Sequence, residues 1–211
     1  MENHIRILGE KFSKIDNGYK EIEKQSLTDL KFYGREKLVE LAEKTYQSDI
    51  YQLRMYSVFL YGYISNDDAA LKFLKDEVSK DENWRVQEIL AKSFDEYCKI
   101  NGYQNSITTI DEWLNSDNCN TRRAVTEGLR IWTGRDYFKD NPMEAIKRLS
   151  VLNNDESEYV RKSVGNALRD ISKKYPKLIE TELASWNVSN NRVSQVYKLA
   201  YRYIRDNNLE K

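Results

Sequence analysis

The sequence predicts an all-α fold, a curved α-solenoid of paired helices. Three observations carry that expectation. The 211 residues include only 8 Gly and 2 Pro, few breakers for a fold built of strands and turns. Apolar residues recur at i, i+3, i+4 and i+8 in one segment after another, which makes one face of a helix. One such segment also returns five times at nearly constant intervals, the signature of a repeat architecture.

The five repeated segments are LRMYSVFLYGY (53–63), VQEILAKSFDEY (86–97), TRRAVTEGLRIW (121–132), VRKSVGNALRDI (160–171) and VSQVYKLAYRYI (193–204). Their first positions, Leu53, Val86, Thr121, Val160 and Val193, are 33, 35, 39 and 33 residues apart. Eight residues on stand Tyr61, Phe94, Leu129, Leu168 and Tyr201. A second amphipathic segment precedes each: KLVELAEKTY (37–46), AALKFLKDEVSK (69–80), SITTIDEWLNS (106–116), MEAIKRLSVL (143–152) and LIETELASW (178–186). Two helices per irregular unit of this length is the pattern of HEAT-like helical repeats. GRDYFKDNP (134–142) reads as a plain loop between units. Pro176 is expected to stop the fourth repeated helix. Gly165 and Asn166 are poor residues for its middle, and a small residue at Gly165 suits the close approach of another helix. A single domain over 1–211 is expected.

Composition narrows the classes. Charged residues make up 32% and aromatics 12%, too aromatic for a disordered chain. Cys98 and Cys119 show no CxxC spacing, so neither a zinc site nor a disulfide framework is expected. No run of about 18 apolar residues exists, so no membrane span is expected. MENHIRILGEKF lacks the apolar core of a secretion signal, which points to the cytoplasm. The zero net charge hides an asymmetry. Residues 1–121 hold 16 Lys/Arg against 22 Asp/Glu, a net of −6, and residues 122–211 hold 18 against 12, a net of +6. The basic part suits an anionic partner.

Chemistry for catalysis is sparse. His4 is the only histidine, and it falls in a terminus expected to fray. That removes Ser-His-Asp arrangements and His-based metal sites. No glycine-rich phosphate loop occurs. No metal or cofactor is expected. The distinctive feature is a ladder of cations just after the first apolar repeat positions: Arg54, Arg122 and Arg123, Arg161 and Lys162, with Arg169, Lys173 and Lys174 further along. On the concave wall of a solenoid, guanidinium groups at this spacing suit the phosphates of a duplex. The same residues also suit pairing with acidic loops of neighbouring units, such as those bearing Asp117 and Asp155, and both roles can hold on different rungs.

Three segments resemble the AlkD-like DNA alkylation-repair proteins, a HEAT-like repeat family of alkylpurine DNA glycosylases. They are KDENWRVQEILAKSFDEYCK (80–99), WLNSDNCNTRRAVTEGLRIW (113–132) and SEYVRKSVGNALRDISKKYP (158–176). The resemblance implies a basic concave groove for duplex DNA. In catalytic members two Trp and an Asp line the cleft, the rings favouring a cationic lesion and the Asp stabilising the developing sugar cation. Carried over residue by residue, with Val86 and Ile89 as anchors, the first Trp falls on Asn83, the Asp on Gln87 and the second Trp on Asn166. The cleft arginine matches Arg123, and Arg169 matches the late helix. KFYGREKL (31–38) departs from the family's N-terminal stretch, with no Ile after Gly34 and no Pro before Arg35. A one-residue slip would instead pair Trp84 with Glu88, at the cost of turning the helix by about 100° and moving Val86 and Ile89 off the core face.

The resemblance, with its replaced positions, implies a homologue that binds double-stranded or branched DNA weakly and does not excise bases. Two alternatives remain at this stage. One is an active glycosylase using Trp84 and Glu88. The other is a protein-binding scaffold.

Overall fold

The computed structural model describes residues 1–208. Among them are thirteen α-helices, two 3-10 turns and no strand. All ten helices of the expected pairs are present. The contacts divide the chain into two compact units, Met1–Asn101 and Gly102–Lys211.

The first unit holds α1 (Glu2–Phe12), α2 (Lys20–Phe32), α3 (Arg35–Tyr46), α4 (Tyr51–Tyr63), α5 (Asp68–Asp76) and α6 (Trp84–Asn101). Two of these helices have a side-chain cap at the start. Asp67 caps α5 by accepting from the Ala69 amide, and Asn83 Oδ1 accepts from the Arg85 amide at the start of α6. Such caps satisfy amides that the helix itself leaves unpaired. The core takes Leu41, Tyr56, Val58, Val86, Ile89 and Phe94, all fully buried. Helices α4 and α6 meet closely at Gly62. A Cβ there would lie 2.7 Å from Ser93 Oγ, and that hydroxyl donates to Val58 O at 2.8 Å.

His4 corrects the expectation of a frayed start. It lies within α1, with Nε2 3.2 Å from Asp29 Oδ2. Asp29, 4% exposed, also accepts from the Tyr56 hydroxyl at 2.5 Å and from Gln25 Nε2 at 3.2 Å. Burial first, and then the Asp29 contact, push the Tyr56 phenol well above its ordinary pKa. Three helices thus converge on one buried carboxylate, because a buried charge needs several donors.

The second unit holds α7 (Ile107–Leu114), α8 (Cys119–Gly128), α9 (Asp136–Asp140), α10 (Pro142–Ser150), α11 (Glu158–Ser172), α12 (Pro176–Ala184) and α13 (Asn191–Asn208). Two sequence expectations fail here. The segment expected as one helix through 132 ends at Gly128, and the supposed plain loop 134–142 contains α9. Phe138 explains the second. It is fully buried, with its ring 4.8 Å from that of Trp132, so a single apolar residue fixes one short turn. Pro176 also acts differently. Helix α11 ends at Ser172, and Pro176 opens α12 at a first-turn position where its missing N–H costs nothing.

Gly165 sits where α11 and α13 touch. A Cβ there would be 2.6 Å from Leu199 Cβ and 3.3 Å from Val196 O. The weak helix residue is offset by the approach it permits. On the opposite neighbour, Thr126 Oγ1 of α8 donates to Ser163 Oγ of α11 at 2.7 Å.

Candidate nucleic-acid interface

The ladder arginines fold back on the protein. Arg54 Nη1 donates to Ser48 O at 3.0 Å and Asp49 O at 3.3 Å, while Nε and Nη2 grip Asp81 at 2.7 and 3.3 Å. Arg122 repeats this: Nη1 donates to Ser116 O and Asp117 O at 2.7 and 3.0 Å, and Nε and Nη2 hold Asp155 at 2.6 and 2.8 Å. Arg161 Nη1 donates to Asp155 O and Glu156 O at 2.7 and 2.9 Å, and Nε to Gln195 Oε1 at 3.0 Å. In each case the arginine ties its own helix to carbonyls five and six residues earlier and then reaches an acceptor 27 to 34 residues on. Arg122 stays a firm cation. The Asp155 hydrogen bond raises its pKa, more than burial lowers it.

Gln87 occupies the same repeat position in α6. Its Nε2 donates to Val78 O and Asp81 O, both at 2.8 Å. It is 6% exposed, and its Oε1 is buried with no hydrogen bond. The side chain placed by resemblance at the catalytic carboxylate is therefore a structural clip. Asn83 caps α6 as described. Asn166 is half-buried in α11. Val86 and Ile89 are fully buried, so both lie on the core face of α6. Trp84 is 58% exposed, with the Arg85 guanidinium 4.5 Å over its ring and 5.4 Å from that of Tyr51. Glu88 lies one turn further on.

The other candidate cations differ in what holds them. Arg123 is half-buried on α8 and makes no side-chain hydrogen bond or ion pair among the described residues. Lys162 pairs with Glu158 at 2.7 Å, both well exposed. Arg169 and Lys173 lie 3.5 and 2.8 Å from Asp170, which Arg130 also reaches at 3.1 Å. Burial raises the Asp170 carboxyl, but the Lys173 and Arg130 hydrogen bonds outweigh it and leave the pKa lowered. Lys174 stands 5.2 Å over the Tyr175 ring. Arg148 on α10, outside the expected ladder, holds Asp111 at 2.7 Å and Glu144 at 2.7 Å; its only sequence signal is the i,i+4 spacing from Glu144.

Cys98 is buried and Cys119 half-buried, and neither is in a disulfide. Among the described residues no helix is long and apolar enough to cross a membrane.

Paired helices with no strand among the described residues, tied loop to loop by buried side-chain clips, define an all-α solenoid protein. The chain belongs to the DNA alkylation repair enzyme family, whose model matches residues 1–204. It is 57% identical to AlkD2 from Streptococcus mutans, whose crystal structure superposes with a TM-score of 0.95 over 96% of this chain and 98% of that one. The alkylpurine DNA glycosylase AlkC from Pseudomonas fluorescens, solved with DNA containing an abasic site analogue, shares the fold at 19% identity. Its TM-score is 0.53, over 89% of this chain and 62% of that one. A Bacillus subtilis (strain 168) protein described as "Uncharacterized protein YhaZ" is 35% identical over 100 residues. That match covers 46% of this chain and 28% of the relative's length.

Proposed function

We propose that this protein is a non-excising member of the DNA alkylation repair family that binds duplex or branched DNA weakly. The observation that carries the reading is Gln87. At the position matched to the catalytic carboxylate stands a neutral amide, committed to the Val78 and Asp81 carbonyls. A neutral amide cannot balance the positive charge that grows on the sugar as the base departs. Asn83 and Asn166 supply no aromatic face for a cationic base. DNA contact then falls to Arg123, Lys162, Arg169, Lys173 and Lys174, the cations not locked in buried clips. The DNA-bound AlkC relative lends support to a DNA partner, and the cytoplasm is the expected place for one.

Two assays test this. Incubation with duplex carrying 7-methylguanine or 3-methyladenine should release no base above background; release would overturn the non-excising reading. If release occurs, loss of it in Glu88→Gln would move the chemistry to Trp84 and Glu88. Duplex affinity should fall steeply with salt, and binding indifferent to salt would refute phosphate contact. The neutralised state of Arg54 and Arg122 favours a second reading, a scaffold for another protein. A chain with no measurable duplex affinity at low salt and a retained protein partner would select it.

A further inference from the structure

Three arginine clips share a design, and the last one lacks a part. Arg54 and Arg122 each end on a carboxylate, Asp81 and Asp155, held by both Nε and Nη2. Arg161 ends on the neutral amide oxygen of Gln195, held by Nε only. In the repeat register Asp155 corresponds to Val188, 33 residues on. An apolar side chain stands there where the other two clips have a carboxylate.

The guanidinium of Arg161 is therefore a cation with no carboxylate within ion-pair distance among the described residues, although the residue is only 8% exposed. Its Nη2 makes no hydrogen bond among them, and it is absent from the buried unpaired atoms, so it reaches solvent. The neighbouring acid, Glu158, is engaged by Lys162 at 2.7 Å. Nε and Nη1 fix the plane of the group, so Nη2 is aimed before anything binds. A mostly buried, oriented guanidinium with no carboxylate partner favours an anion with strong acceptor oxygens, and phosphate geometry suits it.

We infer that Arg161 Nη2, at the Gln195 end of the clip, is a phosphate-binding site. The phosphate oxygen takes the place that one oxygen of Asp81 or Asp155 holds in the other two clips. Free phosphate and a nucleic-acid backbone present the same oxygens. The site does not depend on the DNA-binding reading, because it can be measured with no nucleic acid present.

The test uses the full chain and Gln195→Glu. Gln195 Oε1 already lies 3.0 Å from Nε, so Glu supplies the missing carboxylate without breaking the clip. Inorganic phosphate should raise the wild-type Tm by about 2–4 °C over chloride at matched ionic strength. Gln195→Glu should start from a higher Tm and lose the phosphate-dependent rise. Gln195→Ala, which leaves the guanidinium exposed, should keep it. An equal rise in wild type and Gln195→Glu, or none in wild type, would overturn the site. A duplex titration of Gln195→Glu then separates the sources. Affinity several-fold weaker marks a backbone phosphate, and unchanged affinity with the Tm effect intact marks free phosphate.

Discussion

Arg122 and Asp155 form a closed fork across 33 residues of sequence, Nε to Oδ2 at 2.6 Å and Nη2 to Oδ1 at 2.8 Å. The guanidinium is 14% exposed and the carboxylate 4%. Removing one partner of such a pair leaves the other charge buried and uncompensated, which costs about 3–5 kcal/mol. Asp155→Ala should lower unfolding stability by about 3 kcal/mol in a urea titration. Glu158→Ala, which breaks a largely exposed pair with Lys162, should leave Tm unchanged. Similar losses from the two would show that the fork is not a buried anchor.

Gly165→Ala should destabilise the second unit by about 1–3 kcal/mol, although Ala is the better helix former. The obstacle is Leu199 Cβ at 2.6 Å. Adding Leu199→Ala keeps that atom, so it should not restore stability. Full rescue by Leu199→Ala would mean that the outer part of the Leu side chain, not the backbone spacing, sets the approach.

Gln87→Asp restores the charge that the family resemblance places there, and it should harm the protein. Asp is too short to keep the Val78 and Asp81 hydrogen bonds and carries no donor. A carboxylate buried beside two carbonyls costs about 3 kcal/mol. Denaturant titration should show that loss, and base release should stay at background. A variant as stable as wild type would show that the clip contributes little.

Arg123→Gln should weaken duplex binding about three- to tenfold and lower the salt slope by about 1, the signature of one lost phosphate contact. Tm should not change, since Arg123 has no partner within the described protein. A fall in Tm without a change in affinity would reassign Arg123 to packing.

Asp170 gives a pH dependence. Its folded pKa lies below the ordinary 3.8, so the unfolded chain binds the proton more readily. Its stabilisation is complete above the unfolded value and is lost as pH falls through the folded one. Asp170→Asn should lower stability at neutral pH and flatten the loss below about pH 4. An unaltered acid limb in the variant would place the acid sensitivity elsewhere.

Helical pairs were legible because their apolar stripes repeat over many residues, and periodicity survives degenerate sequence. Helix α9 was not, since five residues around Phe138 are too few to show a period. Arg54, Arg122 and Arg161 were legible as a set because they share a repeat position. Their acceptors were not all legible. Asp155 was visible as loop acid, but nothing in the order of residues announces that Gln195 stands in for one. Arg122 and Arg123 show the limit most sharply. They are neighbours of identical chemistry, about 100° apart on one helix, and only packing decides that one is clipped and the other open. The clip made by Gln87 was illegible for a related reason. Its clip role is defined by two carbonyl oxygens, and backbone acceptors carry no sequence signature.

Seen from several ångströms away, a guanidinium clamped to a carboxylate is a dipole, and its field decays faster than that of a single charge. Arg54 and Arg122 with their aspartates are of this kind. Arg161 is a monopole. Screening confines that pull to about 8 Å at physiological salt, and within that range an approaching anion feels a sparse pattern of net charges rather than the full tally of basic residues. The +6 of residues 122–211 overstates how evenly that pull is spread. The last clip contributes to it out of proportion, because its guanidinium closes on a neutral amide rather than on a carboxylate.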